Sequence, residues 1–176
     1  MRIPSKNKIL ISMPNVVESC FYNSVILLCE HNRRGATGII INKKIDRRYN
    51  KALLPKSSSP NIFFGGPVLI NKGFILHRSN NQTKNTIKLS SDFSITNYKN
   101  AKSIINKKNK IDYKLVFGHA GWSAGQLEGE IKRGDWLIQN TSPDFVFNID
   151  YDKMWENATL SLGFESGSIT TINARA

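Results

Sequence analysis

The chain has 176 residues, of which 40% are hydrophobic, 10% aromatic and 22% charged, and its formal net charge at pH 7 is +12. This length supports one buried core and argues against two full domains. No apolar run approaches the roughly 18 residues of a membrane-spanning helix, and two cysteines, Cys20 and Cys29, are too few for a disulfide framework. We therefore expect a cytoplasmic domain that does not contact a membrane.

The first predicted elements are strands. Residues 9–13 (ILISM) predict a strand that ends at Pro14, and residues 24–31 (SVILLCEH) form an apolar run typical of a strand buried on both faces. The turn at 32–35 leads into ATGIIIN, so the two runs predict a hairpin. Residues 46–61, rich in Ser, Lys, Arg and Pro, predict an exposed loop.

The middle of the chain alternates short strands with turns. IFFGGPV predicts a strand interrupted at 65–67, and GFILH (73–77) and TIKL (86–89) predict a further strand pair joined by an Asn-rich turn. From 97 to 108 apolar residues recur with helical spacing, which predicts an amphipathic helix.

The last third predicts two strands and two helices. YKLVF (113–117) is the first strand, and Ser123 is the expected N-cap of the helix that follows, with Gln126 at the spacing of a capping box. DWLI is the second strand, and Asp150 or Asp152 is expected to cap the last helix.

The order of these elements indicates the fold class. Hairpin-like strands come first and helices come late, which favours an α+β fold over an alternating parallel one. We expect a single domain over 1–176, with a core at about 8–163 and a flexible tail at 164–176.

Ser123 raises the question of catalysis. Residues 121–125 (GWSAG) match G-x-S-x-G, the nucleophile elbow of many serine hydrolases. All three histidines precede Ser123, whereas α/β-hydrolases follow the order Ser, acid, His. We interpret Ser123 as a helix cap, and a small hydrolase that uses it remains an alternative, since geometry rather than order defines a triad.

Eight features, in order, resemble the bacterial YqgE/AlgH family and cover about residues 8–163. They are ILISMP, SVILLCEHN, GATGIIIN, FFGGPV, GFILH, GHAGWSAGQLEGEI, DWLI and the later Trp155. The chain departs from the family pattern at His119, where Tyr is usual, and at 15–20, where an Asp-Pro pair is often found. The resemblance implies one α+β domain with coiled, bifurcated, mainly antiparallel β-sheets and flanking helices. It implies no settled function, although one branch carries the label of transcriptional regulator.

The positive charge has two interpretations. Clustered basic side chains gain free energy by releasing counterions from nucleic acid. The candidate nucleic-acid contacts are Arg33, Arg34, Lys43, Lys44, Arg47 and Arg48. Because 17 of the 25 basic residues are Lys, the composition also fits the coding bias of an AT-rich genome. Nucleic-acid binding through 33–48 is therefore an alternative function.

The preferred function is binding or regulation without catalysis, since glycine turns and polar residues occur without a complete catalytic set. The candidate binding surface is His31, Asn32, Asn42, Gly65, Gly66, Pro67, His77, Gly118, Gly121, Trp122, Gln126 and Glu128. Cys29 and His31, two apart on one predicted strand face, lack the partners of a metal site, so no metal or cofactor is predicted. The expected partner is a protein or small molecule, and the expected state is a monomer or weak homodimer.

Overall fold

In the computed structural model, which describes residues 6–16, 20–45, 62–80, 85–101 and 112–163, the apolar runs form the centre of a curled sheet. Its nine strands are β1 (Lys8–Ser12), β2 (Val25–Asn32), β3 (Gly35–Ile40), β4 (Ile62–Phe64), β5 (Val68–Arg78), β6 (Thr86–Lys88), β7 (Phe93–Asn97), β8 (Tyr113–Ser123) and β9 (Trp136–Asn140). The helices are α1 (Gln126–Lys132), α2 (Pro143–Asn148) and α3 (Met154–Leu160), with a 3-10 turn at Tyr98–Asn100. This is the predicted single α+β domain.

The sheet forks at β8, which pairs with three other strands. The strand order is β6-β7-β5-β8-β3-β2-β1-β9, and every neighbouring pair in this path is antiparallel. β5 follows one edge of β8, while β4 and β3 divide the opposite edge between them. β4 pairs in parallel with 115–117, and β3 pairs with 120–123. The sheet is therefore bifurcated and mainly antiparallel, as the family resemblance implied.

Two helical layers cover the two faces of the central strands. Because side chains alternate along a strand, Ile9 and Ile11 of β1 pack on one face with Val146 of α2 and with α3. Leu10 points to the other face, where Leu127 of α1 lies. β2 alternates in the same way, which confirms that its continuous apolar run is buried on both faces.

Two glycines allow the backbones to cross at the fork. Gly66 has φ +144°, and a Cβ placed there would lie 2.2 Å from the carbonyl carbon of His119. Gly118 has φ +76°, and its Cβ would lie 2.2 Å from the carbonyl oxygen of Gly66. Only glycine fits such positions, since both the positive φ and the clash exclude a side chain. The close approach joins two segments of the chain.

The strand pairing in the middle of the chain differs from the expectation. β5 pairs with β7, and β6 also pairs with β7, so the predicted pairing of 73–77 with 86–89 is wrong. β7 was not predicted, because two of its residues, Ser94 and Thr96, are polar yet buried. The predicted helix at 97–108 is described only as the 3-10 turn, since 102–111 lie outside the described residues.

The helix caps also differ from the expectation. Ser123 is the last residue of β8, and the N-cap of α1 is Gly125, with φ 78° and no side-chain hydrogen bond. α3 begins after Lys153 rather than at a capping Asp150 or Asp152. α2, which no pattern predicted, is capped by the Ser142 hydroxyl, which accepts from the amide of Phe145.

Two expectations, the loop at 46–61 and the tail at 164–176, lie outside the described residues. Within the described ranges the longest helices have seven residues, and none is long and apolar enough to cross a membrane.

Candidate functional site

The main candidate site is a cleft between the end of β8, helix α1 and the segment that follows β1. We name it the Trp cleft and define it by its lining residues: Asn15, Val16, Phe21, Gly121, Trp122, Gln126, Glu130, Arg133, Asp135 and Trp136. Its volume is about 270 Å³. This is slightly below the usual range of pockets for small molecules, so the cleft suits a small ligand or one side chain of a partner.

Glu130 is the centre of the polar network in this cleft. It follows Leu127 by three residues, so it lies on the buried side of α1, where a carboxylate needs partners. The indole nitrogens of Trp122 and Trp136 each donate to Glu130 Oε2 at 2.7 Å. Gln126 Nε2 donates to Glu130 Oε1 at 2.9 Å. These three donors hold the carboxylate in one orientation.

Aromatic rings form the walls of the cleft. The centroids of Trp122 and Trp136 are 6.0 Å apart with an interplanar angle of 85°, and those of Phe21 and Trp136 are 5.9 Å apart at 85°. Such edge-to-face packing fixes the rings relative to one another. Trp122 and Trp136 are buried and Phe21 is half-buried, so Phe21 is the more accessible wall.

A second carboxylate lies at the rim. Asp135 Oδ1 accepts from Asn15 Nδ2 at 2.7 Å, and Asp135 Oδ2 accepts from Arg133 Nη2 at 2.8 Å. The Arg133 side chain is 63% exposed and that of Asp135 is 20% exposed. The rim therefore combines a held carboxylate with a guanidinium that extends into solvent.

Ser123 lies beside the Trp cleft but is not arranged as a nucleophile. Its hydroxyl donates to Gln126 Oε1 at 3.1 Å, and its backbone amide donates to the same oxygen at 3.0 Å. The partner of the hydroxyl is thus an amide oxygen, which cannot act as a general base as an imidazole does. Half of the predicted capping box is present. The Gln126 side chain accepts from the backbone amide of Ser123, as in a capping box, but the Ser123 hydroxyl accepts from no backbone amide of α1.

The three histidines lie on three different strands, β2, β5 and β8. His77 in β5 lies opposite Tyr113, whereas His119 lies six residues further along β8, a separation of about 20 Å at strand spacing. His31 lies two strands away from Trp122, because it pairs with Ala36. Within the described ranges no group of three or more His, Cys, Asp or Glu residues could hold a metal ion.

Each imidazole has its own surroundings. His31 Nε2 contacts Glu128 Oε1 at 2.9 Å, and the pKa of Glu128 is lowered by its own backbone amide and by this ring. His77 Nδ1 donates to the carbonyl of Arg78, so its Nε2 accepts from Thr96, and burial lowers the pKa of His77. Burial also lowers the pKa of His119. His31 and His77 thus take part in hydrogen bonds that tie elements together.

A second concave region, the apolar groove, lies on the face of the sheet that bears His119. It has a volume of about 440 Å³, and its walls include Ile39, Leu69, Phe74, Ile87 and Ile95. Cys29 also lines it. Burial and the neighbouring Glu30 raise the pKa of the Cys29 thiol to about 12, so it is a poor nucleophile.

A β-bulge separates Cys29 from His31. The register of β2 against β3 shifts between Leu28 and Glu30, so Cys29 is the extra residue. Cys29 packs with the α2 and α3 face, whereas His31 bonds to Glu128 of α1. The expectation that the two share one strand face is wrong, because the bulge changes the alternation.

The residues of the predicted binding surface are distributed over several places. Gly121, Trp122 and Gln126 lie in the Trp cleft. Gly65, Gly66 and Gly118 lie at the fork, with the exposed Pro67 next to them. Four of the remaining five are His31 and Glu128, which form a pair, Asn32, which accepts from the amide of Arg34, and the buried His77.

Asn42 has a structural role at the start of β2. Its Oδ1 accepts from the amide of Val25 at 2.8 Å, and its Nδ2 donates to the carbonyl of Asn23 at 2.9 Å. The side chain is buried, so these contacts satisfy both of its polar atoms.

The basic residues do not form one patch in the described part of the chain. Arg33 and Arg34 lie at one end of β3, and Lys43 and Lys44 follow its other end, so the two pairs are separated by the six residues of β3, about 20 Å at strand spacing. Burial lowers the pKa of Lys43, and Lys44 lies over the Tyr151 ring. Arg47 and Arg48 lie outside the described residues.

Seven of the ten residues that line the Trp cleft were not among the predicted site residues. They are Asn15, Val16, Phe21, Glu130, Arg133, Asp135 and Trp136. All but Glu130 lie outside residues 118–131, from which the cleft residues were predicted. The sequence does indicate a special role for Glu130. This residue follows Leu127 at i+3 and precedes Ile131 at i+4, so its carboxylate lies on the apolar face of the helix.

Comparisons with known proteins agree with this architecture. The model of the AlgH-like family matches residues 9–167. A UPF0301 protein of Vibrio cholerae is 33% identical, covering 94% of this chain and 95% of the relative, and one of a Marinomonas species is 37% identical, covering 91% and 90%. The solution structure of the AlgH protein from Pseudomonas aeruginosa superposes with a TM-score of 0.73 at 28% identity, covering 98% of this chain and 94% of that one. A crystal structure from Corynebacterium diphtheriae has a TM-score of 0.70 at 23% identity, covering 90% and 87%, which shows a shared fold.

Proposed function

This chain belongs to the AlgH-like family, and we propose that it is a cytoplasmic binding or regulatory protein without catalysis that holds its ligand in the Trp cleft. The observation that carries the proposal is an aromatic-walled cleft whose polar groups are fixed by mutual hydrogen bonds. Rigid aromatic walls with a few oriented polar groups are typical of binding sites. The cytoplasmic part of the proposal rests on composition, with only two cysteines.

The arrangement supports binding rather than turnover. The carboxylate of Glu130 is engaged by three donors, and the hydroxyl of Ser123 faces an amide oxygen. A nucleophile needs a base within hydrogen-bond reach, which in turn is oriented by a third group. The groups in the cleft instead orient one another, as recognition requires.

The test is a thermal-shift screen of the full chain against metabolites and short peptides, with two matched variants. Phe21→Ala removes the accessible wall, and Tyr22→Ala removes the next aromatic ring, which is 52% exposed and lies outside the cleft. We expect ligands that raise the melting temperature of the wild type and of Tyr22→Ala but not of Phe21→Ala. If no compound binds and affinity capture yields no partner, or if the binders stabilise Phe21→Ala equally, the proposal is wrong.

A further inference from the structure

The charge of the Trp cleft is opposite to that of the chain. Two carboxylates, Glu130 and Asp135, line the cleft together with one guanidinium, Arg133, which leaves one net negative charge. The whole chain has a net charge of +12. A locally negative site on a basic protein favours positively charged ligands over anions, because the field inside a cleft is set by its nearest charges.

The walls of the cleft favour the same class of ligand. The faces of Trp, Tyr and Phe rings attract cations electrostatically, and Trp does so most strongly. Phe21 and Trp122 each stand at 85° to Trp136, so the three rings form the sides of a partial cage. Aromatic cages that contain carboxylates recognise alkylammonium groups in this way.

The carboxylates retain capacity for a further donor. Among the described residues, Glu130 Oε1 accepts only from Gln126, and Asp135 Oδ1 accepts only from Asn15. A carboxylate oxygen can accept two hydrogen bonds, so each has one position left. The Arg133 side chain is 63% exposed, and ion pairs to solvent-exposed side chains contribute little, so an incoming cation can replace Arg133 at low cost.

Building on the proposed function, we infer that the Trp cleft binds an organic cation, an alkylammonium or guanidinium group, between its rings and the carboxylates of Glu130 and Asp135. The group belongs either to a free small molecule or to a Lys or Arg side chain of a partner polypeptide. Both sources present the same chemistry to the cleft, and the experiment separates them.

The probes are choline and 3,3-dimethyl-1-butanol, which has the same shape without the charge. Binding to the full chain is followed by tryptophan fluorescence, since Trp122 and Trp136 line the cleft, whereas Trp155 donates to the carbonyl of Ser12 outside it. We expect saturable binding of choline and of N-acetyl-arginine amide. The uncharged isostere should bind about tenfold more weakly, or not at all.

Charge-removing variants identify the carboxylates. Glu130→Gln keeps the shape and an oxygen that accepts from both indoles. We expect it to weaken choline binding about tenfold, because it removes the Coulomb attraction to the trimethylammonium group, which has no N–H to donate. Asp152→Asn removes the same charge at an exposed position outside the cleft and should change the affinity less than about twofold. If Glu130→Gln does not fold, Asp135→Asn tests the same prediction at the rim, with an expected loss of about threefold.

The source of the cation follows from a comparison of free and peptide-borne groups. If a short peptide with one Lys or Arg binds at least about tenfold more tightly than the corresponding amino-acid amide, the natural ligand is a polypeptide. If the two bind equally, it is a small molecule. Both results support the inference.

Two results overturn it. If the uncharged isostere binds as tightly as choline, or if Glu130→Gln keeps full affinity, charge recognition is wrong while ligand binding in the cleft stands. If none of these probes binds, the cation inference is also wrong, and the proposed function is then judged separately by the Phe21→Ala and Tyr22→Ala screen.

Discussion

The two halves of β8 differ although they belong to one strand. The first half, 113–117, lies between β4 and β5, and Leu115, Val116 and Phe117 are all buried. The second half, 119–123, pairs with β3 and alternates, with Ala120 and Trp122 buried and Gly121 and Ser123 exposed. A strand that is covered on both faces contributes its side chains to the hydrophobic core. A strand that is covered on one face by a short helix leaves room for a cleft beside the helix. The fork therefore separates a fully packed half of β8 from a half that lines the Trp cleft.

The largest effect on stability is expected at the junction between the two halves of β8, where Gly66 lies against the backbone of His119. Gly66→Ala introduces a Cβ 2.2 Å from the backbone of His119 at a φ of +144°. We expect a loss of about 3 kcal/mol or more in the free energy of unfolding, because backbone atoms cannot move aside as a flexible side chain can. Urea denaturation followed by circular dichroism measures the loss.

The matched control for the junction is Gly129→Ala in α1. A Cβ at Gly129 meets only the end of the Arg133 side chain at 3.6 Å, so the change should be neutral or stabilising by up to about 1 kcal/mol. Equal stability of the Gly66→Ala and Gly129→Ala variants would show that the backbone crossing at the fork does not constrain the sequence.

The first half of β8 is probed through Lys114. This side chain is buried, its ammonium lies 4.1 Å from the centroid of the Phe63 ring, and burial lowers its pKa from 10.5 to about 8. Among the residues that the structure describes, Lys114 has no ion-pair partner, and removing such a buried charge relieves a desolvation cost. We expect Lys114→Met to raise the free energy of unfolding at pH 7 by about 1–3 kcal/mol, measured by chemical denaturation.

The same residue makes stability depend on pH. The folded state releases the Lys114 proton near pH 8, whereas the unfolded state keeps it until about pH 10.5, so Lys114 makes the folded state more stable as pH rises between these values. Cys29 acts in the opposite direction above pH 9, because its pKa is raised to about 12. The difference between wild type and Lys114→Met isolates the lysine. A difference that stays constant from pH 7 to 10 would contradict the account.

The smallest effect is expected in the second half, at Ser123. Ser123→Ala removes one exposed hydrogen bond, from the hydroxyl to Gln126 Oε1, and should change the free energy of unfolding by less than about 0.5 kcal/mol. Any esterase activity of the purified protein should remain unchanged in this variant. Loss of such activity would instead support the hydrolase alternative.

The sequence predicted those parts of the fold in which apolar periodicity and burial agree. β1, β2 and β3 carry apolar runs that are buried where the pattern places them, and β9 forms where predicted with Trp136 buried. β7 was missed because Ser94 and Thr96 are polar yet buried, with hydroxyls bonded to Ser79 and His77. Periodicity treats a hydroxyl as a mark of exposure, and a bonded hydroxyl in a sheet interior violates that assumption.

The candidate site was predictable only in its local part. Gly121, Trp122 and Gln126 lie within one motif, so a single stretch of sequence identified them. Phe21 and Trp136 join them through contacts between distant segments, which no local pattern encodes. The capping prediction for Ser123 was wrong because β8 extends past Gly118 to Ser123, so that Gly125 caps α1.

The position of β1 between β2 and β9 has a consequence for synthesis on the ribosome. A nascent chain that has produced only its first hairpin carries a strand of apolar residues with one unpaired edge until β9 emerges more than a hundred residues later. Unpaired apolar edges promote aggregation during translation. We expect stalled nascent chains that end before Trp136 to engage chaperones and to be sensitive to protease, whereas chains in which β9 has left the exit tunnel should be resistant.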